Sequence, residues 1–150
     1  MKNFKLIAVR YSPGYSDMCG AGHSVRLKKD GSGKWIMEYR DREDHSAPTI
    51  VTTYDVLPGA AEDFEKFINR KRVPALEKRP KSSLFATDYS PWSYCIDYEK
   101  TLLGKTVSRD CVLSEYRLYS KRDYALLKEL RGRLEALCGV KISEIAEQDE

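Results

Sequence analysis

Between Phe4 and Val56 the chain repeats one pattern four times: a short run of alternating apolar and polar residues, closed by residues that turn the backbone. A side-chain period of two marks a β-strand with one buried face, and short connections make consecutive strands antiparallel neighbours. In "FKLIAVRY" Ile7, Val9 and Tyr11 share one side and Phe4, Leu6 and Ala8 the other, which places this run in a central strand. "HSVRLKK" turns Val25 and Leu27 inward and Arg26 and Lys28 toward water. Asp30, Gly31 and Gly33 then tolerate the positive φ that a hairpin requires. "KWIMEYRDR" aligns Trp35, Met37 and Tyr39; after a charged loop, "TIVTTYDV" aligns Ile50, Thr52, Tyr54 and Val56. Four such runs in order predict an antiparallel meander.

The period then lengthens. Ala60, Phe64, Phe67 and Ile68 recur at helical spacing, with Pro58 at the start, Glu62 and Asp63 in the early turns and Arg70, Lys71 and Arg72 at the end. Pro74 is expected to stop this helix. "SSLFATDY" (82–89) and "WSYCIDYEK" (92–100) read as two more strands, and "TVSRDCVL" (106–113) as either another strand or an extended lead-in. A second helix is expected from about residue 121 to 138. Ser120 is its N-cap with Asp123 at the third position, Leu127, Leu130, Leu134 and Leu137 form its stripe, and Gly139 follows as the terminating residue. The order β-β-β-β-α-β-β-α predicts an α+β fold: an antiparallel sheet of about six strands with two helices packed on one face.

A chain of 150 residues matches one domain, expected over residues 1–140. Residues 141–150, "KISEIAEQDE", carry one positive and four negative charges and read as a solvated acidic tail. The formal net charge of +3 is too small to imply nucleic acid or a membrane as partner. The apolar run near the N-terminus is too short and too charged for a secretory signal, so the cytoplasm is the expected compartment. There, Cys19, Cys95, Cys111 and Cys138 are expected as reduced thiols, and no two stand close enough for a CxxC motif.

The stretch "DMCGAGHS" (17–24) looks most like chemistry. Cys19 and His23 are the residue types of a thiol nucleophile and its base, which keeps a cysteine-dependent enzyme as one alternative. No cysteine-hydrolase signature surrounds them, and Gly20 and Gly22 do not introduce a helix as a phosphate loop would. The bend between two strands is the favoured reading. His45, with His23, Asp17 and Asp44, lacks metal-ligand spacing, so neither a metal nor another cofactor is expected.

Two other stretches point to binding. "RKRVPALEKRPK" carries Arg70, Lys71, Arg72, Lys78, Arg79 and Lys81 against Glu77 alone, a candidate phosphate-contacting patch and the basis of a nucleic-acid alternative. It has neither an RNP-type sheet motif nor a helix-turn-helix beside it, and nucleic acid is not favoured. "DYSPWSYCIDY" places Tyr89, Trp92, Tyr94 and Tyr98 within eleven positions, and such residues are enriched at interfaces. The leading expectation is a small soluble non-enzymatic domain that binds a protein or peptide through residues 89–98, with another protein or a second copy of the chain as partner.

Overall fold

The computed structural model describes residues 3–12, 22–44, 46–78, 92–114 and 119–147. Seven strands form one sheet in the order β6-β5-β1-β2-β3-β4-β7, every neighbouring pair antiparallel. The strands are β1 (Phe4–Ser12), β2 (Gly22–Lys29), β3 (Trp35–Arg42), β4 (Thr49–Val56), β5 (Ser93–Leu102), β6 (Lys105–Ser114) and β7 (Cys138–Glu147). The helices are α1 (Ala60–Arg70) and α2 (Lys121–Glu135), and a 3-10 helix, Val73–Lys78, follows α1. The fold is α+β, built on antiparallel pairing.

The meander β1–β4 follows the alternation of its sequence. β5 and β6 form a hairpin that joins the β1 edge, while β7 joins the β4 edge, so the later strands extend the sheet on both sides. The β5–β6 turn has two residues, Leu103 and Gly104, both at positive φ (50° and 79°), as a type I′ hairpin turn requires.

The inward face and both helices share one buried cluster: Leu6, Val9 and Tyr11 of β1, Val25 and Leu27 of β2, and Ile96 of β5 meet Phe67 of α1 and Leu130 of α2. At about 25 cal/mol per Å² of apolar surface buried, this cluster is the main stabilising element. Ser120 caps α2, its hydroxyl accepting from the Asp123 N–H at 3.2 Å.

Several expectations need correction. The sheet has seven strands rather than about six. Residues 105–114 are a full strand, and the expected acidic tail is instead mostly β7, paired to β4 as far as Glu147. Edge strands tolerate charge on their exposed side, so the acidic residues did not prevent pairing. The expected strand 82–89 lies outside the described residues. Helix α2 ends at Glu135 with Ala136 as C-cap, and Gly139 belongs to β7, where a Cβ would meet the Asp55 carbonyl oxygen at 3.0 Å. Helix α1 starts after Gly59, and Pro74 falls inside the 3-10 helix rather than at the helix end.

In β1 the expected faces are regrouped. A bulge between Leu6 and Ala8 turns Leu6 to the same side as Val9 and Tyr11 and leaves Ile7 exposed. Glu65 of α1 accepts a hydrogen bond from Leu6 N–H at 2.8 Å next to this bulge. On the β6 edge Glu77 accepts from Val112 N–H at 2.6 Å, which satisfies one otherwise open edge donor.

Candidate functional site

The aromatic stretch singled out in the sequence lands at one end of the sheet, against α2. Tyr94 sits directly across from Tyr11 in the β1–β5 register, with ring centroids 4.6 Å apart. Tyr94 is 3% exposed, and its hydroxyl donates to the Leu127 carbonyl of α2 at 3.1 Å. Burial, and then the neighbouring Tyr11, pushes the Tyr94 phenol above its ordinary pKa, so it stays a neutral donor.

Trp92 precedes β5 and is half-buried. It meets the edge of Tyr94 at 5.8 Å and of Tyr124 at 6.1 Å, and stacks on Tyr119 at 6.4 Å. Tyr124, Leu127, Lys128 and Arg131 occupy one face of α2, at spacings of three and four residues, and complete a cleft of about 190 Å³ with Tyr11, Trp92 and Tyr94. The Arg131 guanidinium lies 5.3 Å from the Tyr11 ring centroid and hydrogen-bonds Glu135 at 3.1 Å. The Glu135 hydrogen bond is the chief reason that Arg131 holds its proton even more firmly than usual. Lys128 is exposed and makes no ion pair among the described residues.

As formed by the described residues, this cleft is smaller than the roughly 300–1,000 Å³ of typical small-molecule and cofactor sites.

Among the described residues, the cations of the basic segment line no part of this cleft. Arg72, at φ 52° just beyond α1, lines a separate cavity of about 360 Å³ with Lys100, Asn3 and Asn69 above the stacked rings of Phe4 and Tyr98. That places Arg72 beside the C-terminal half of β5, whereas Trp92 stands before its first residue. Arg70 is exposed in the last turn of α1, where the helix dipole favours a cation, and Lys78 ends the 3-10 helix. Arg79, Lys81 and Tyr89 lie outside the described residues.

The Cys19/His23 pairing has one described member, since Cys19 lies outside the described residues. His23 is the second residue of β2 and hydrogen-bonds through Nδ1 to the carboxylate of Asp41, its cross-strand partner on β3. Its ring centroid is 6.2 Å from that of Tyr39, whose hydroxyl accepts from the Cys138 thiol at 3.4 Å. Burial, followed by the Cys138 hydrogen bond, raises the Tyr39 pKa. Burial also raises the thiols of Cys95 and Cys111, the latter to about 12, and so works against either as a nucleophile. Asp44 serves its turn: its carboxylate accepts from Ser46 N–H and Ala47 N–H, each at 2.9 Å. Among the described residues no group of three His, Cys, Asp or Glu could hold a metal ion, and no helix is long and apolar enough to cross a membrane.

Sequence reasoning found Trp92 and Tyr94 and missed Tyr11, Lys128 and Arg131 as their companions. The available signal was the second stripe of α2, offset from the leucines and carrying both a tyrosine and cations. Compared with known proteins, the chain matches no family model and no curated protein sequence.

Proposed function

We propose that this protein is a peptide-binding module. Its aromatic cleft takes one aromatic or proline side chain from a partner segment that carries a carboxylate next to it. The observation behind this reading is the pairing of a three-sided aromatic wall, Trp92, Tyr94 and Tyr124, with Lys128 at the rim of a small cavity. Aromatic walls recognise flat or prolyl groups at little conformational cost, and Tyr, Trp and Arg dominate binding hot spots. A rim cation with no ion pair among the described residues gives a carboxylate its place and sets orientation and on-rate.

The test is a fluorescence titration of a Trp35→Phe variant, which leaves Trp92 as the reporter, with short peptides presenting Phe, Pro or Ala at one position and Glu or Lys beside it. Phe-Glu and Pro-Glu peptides are expected to perturb Trp92, and Ala-centred peptides to leave it unchanged. By isotope-edited NMR, Trp92→Ala should weaken binding by roughly thirtyfold or more while the spectrum stays folded. Lys128→Glu should weaken only the Glu-bearing peptides. If none of the peptides binds, or if Trp92→Ala binds as well as the parent, the reading fails.

A further inference from the structure

The sheet face opposite the helices carries two like-charge pairs that local sequence alternation alone does not reveal. Arg10 of β1 lies directly across from Arg26 of β2, and Asp97 of β5 directly across from Asp110 of β6. Like charges placed directly opposite in a sheet destabilise it. Arg26 also has Glu38 of β3 across from it on its other side, but the Glu38 carboxylate is engaged by Lys28 at 2.8 Å and Arg40 at 3.0 Å, and Arg40 also pairs with Glu147. Arg10, Arg26, Asp97 and Asp110 make no ion pair among the described residues, although Arg10, Arg26 and Asp97 line the same surface depression of about 190 Å³.

From this arrangement we infer that the open face of the sheet is the interface of a two-fold homodimer. The arginine pair of each copy lies over the aspartate pair of the other. The two patches are neighbours: Cys95 is the cross-strand partner of Arg10, and Ala8 that of Asp97. With strands about 4.8 Å apart and same-face residues repeating about every 6.8 Å, one two-fold axis in the plane between the faces, crossing over the β1–β5 boundary, exchanges them. Stacked sheets stand about 10 Å apart, a gap suited to a long arginine facing a short aspartate. The residues between the patches are small, Ala8 and Cys95, with Ser12, Ser93 and Ser114 aligned in the next row and the exposed Val112 beside Asp110 on β6. A free anion would answer the arginines and leave the aspartates facing each other; a second copy answers both pairs. The aromatic cleft lies on the other face, so dimerisation leaves it open.

The experiment is sedimentation of the full chain and of two charge-reversed double variants, Arg10→Glu/Arg26→Glu and Asp97→Lys/Asp110→Lys. Each variant replaces one like-charge pair by another, but Arg26→Glu also sets a second carboxylate across from Glu38, so circular dichroism melts of both variants are compared with the parent's and association is read only where the fold persists. The parent is expected to dimerise, more weakly as salt rises, and each variant alone to associate on the order of a hundredfold less. Mixed together, the two variants should recover a heterodimer, because both reversed patches then meet opposite charge. A parent that stays monomeric at high concentration in low salt overturns the inference. So do variants that dimerise as well as the parent, or a mixture that fails to associate while both variants remain folded.

Discussion

The two faces of the sheet are built from the same strands and obey different rules. On β2, Leu27 is fully buried against the helices, while its neighbour Arg26 turns to the open face. On the inner face the residues are apolar and the helices remove them from water; stability there scales with area and volume. On the outer face charged residues stand among small and a few exposed apolar ones such as Val112 and Ile145, and what matters is whether each charge has found a partner. Glu38 is the exception that clarifies this: it lies on the outer face yet is only 7% exposed, screened by the stems and charges of Lys28 and Arg40. The lesson is that an uncovered face is not an idle one. Its matched charges hold the surface together, and its unmatched ones carry the dimer proposed above.

The contrast can be tested through its thiols first. Cys111 points into the core, with its pKa raised by burial to about 12, and Cys95 lies half-buried on the open face. Alkylation mapped by mass spectrometry at pH 7 should find Cys111 roughly a thousandfold slower than a free thiol and slower than Cys95. Equal rates would mean that the inner face opens as readily as the outer.

Next in size is Leu27→Ala, expected to cost about 2–5 kcal/mol in chemical denaturation because the site cannot collapse around the lost methyls. A cost below 1 kcal/mol would show the core to be looser than its burial implies.

Glu38→Gln should cost about 1–3 kcal/mol at neutral pH, leaving two cations beside a neutral amide. Burial alone would raise the Glu38 pKa, but hydrogen bonds and charge from Lys28 and Arg40 outweigh it, and the folded-state pKa lies below the ordinary 4.5. A depressed carboxylate stabilises the fold above its unfolded pKa, and that stability is lost as pH falls through the folded value. The difference between parent and Glu38→Gln should therefore shrink on acidification below about pH 4.5. A difference unchanged with pH would assign the effect to shape rather than charge.

The smallest effect is expected one residue from Leu27. Arg26→Ala should change stability by no more than about 0.5 kcal/mol, since the relief of a like charge across from Arg10 offsets the loss of an opposite charge across from Glu38. It should be measured in dilute, monomeric protein, so that association adds nothing. A large loss there would erase the distinction between the faces.

Much of this could be read from the chain. The meander was legible because each strand needs only its own alternation, and α2 because its cap, its leucine stripe and its length agree. The bulge in β1 was not legible, since one extra residue leaves the composition of "FKLIAVRY" unchanged while moving Leu6 to the other face. β7 was not legible either. An edge strand with an exposed outward side reads like a charged tail until β4 is there to pair with it. Of the cleft, Trp92 and Tyr94 stood out as a cluster along the chain, but Tyr11 and Arg131 reach them from segments far away in sequence.

By itself, then, the sequence determined most local periods: that the four meander runs and β5 extend, that two stretches coil into helices, that Ser120 caps the second, and that the fold is α+β. These follow from interactions among residues a few positions apart. Only the tertiary structure decided which edge of the sheet each later strand joins, which face Leu6 serves, that Tyr11, Trp92, Tyr94 and α2 enclose one cleft, and that Arg10 stands beside Arg26. Those outcomes depend on strand register and on contacts between distant segments, which close only when the whole sheet has assembled.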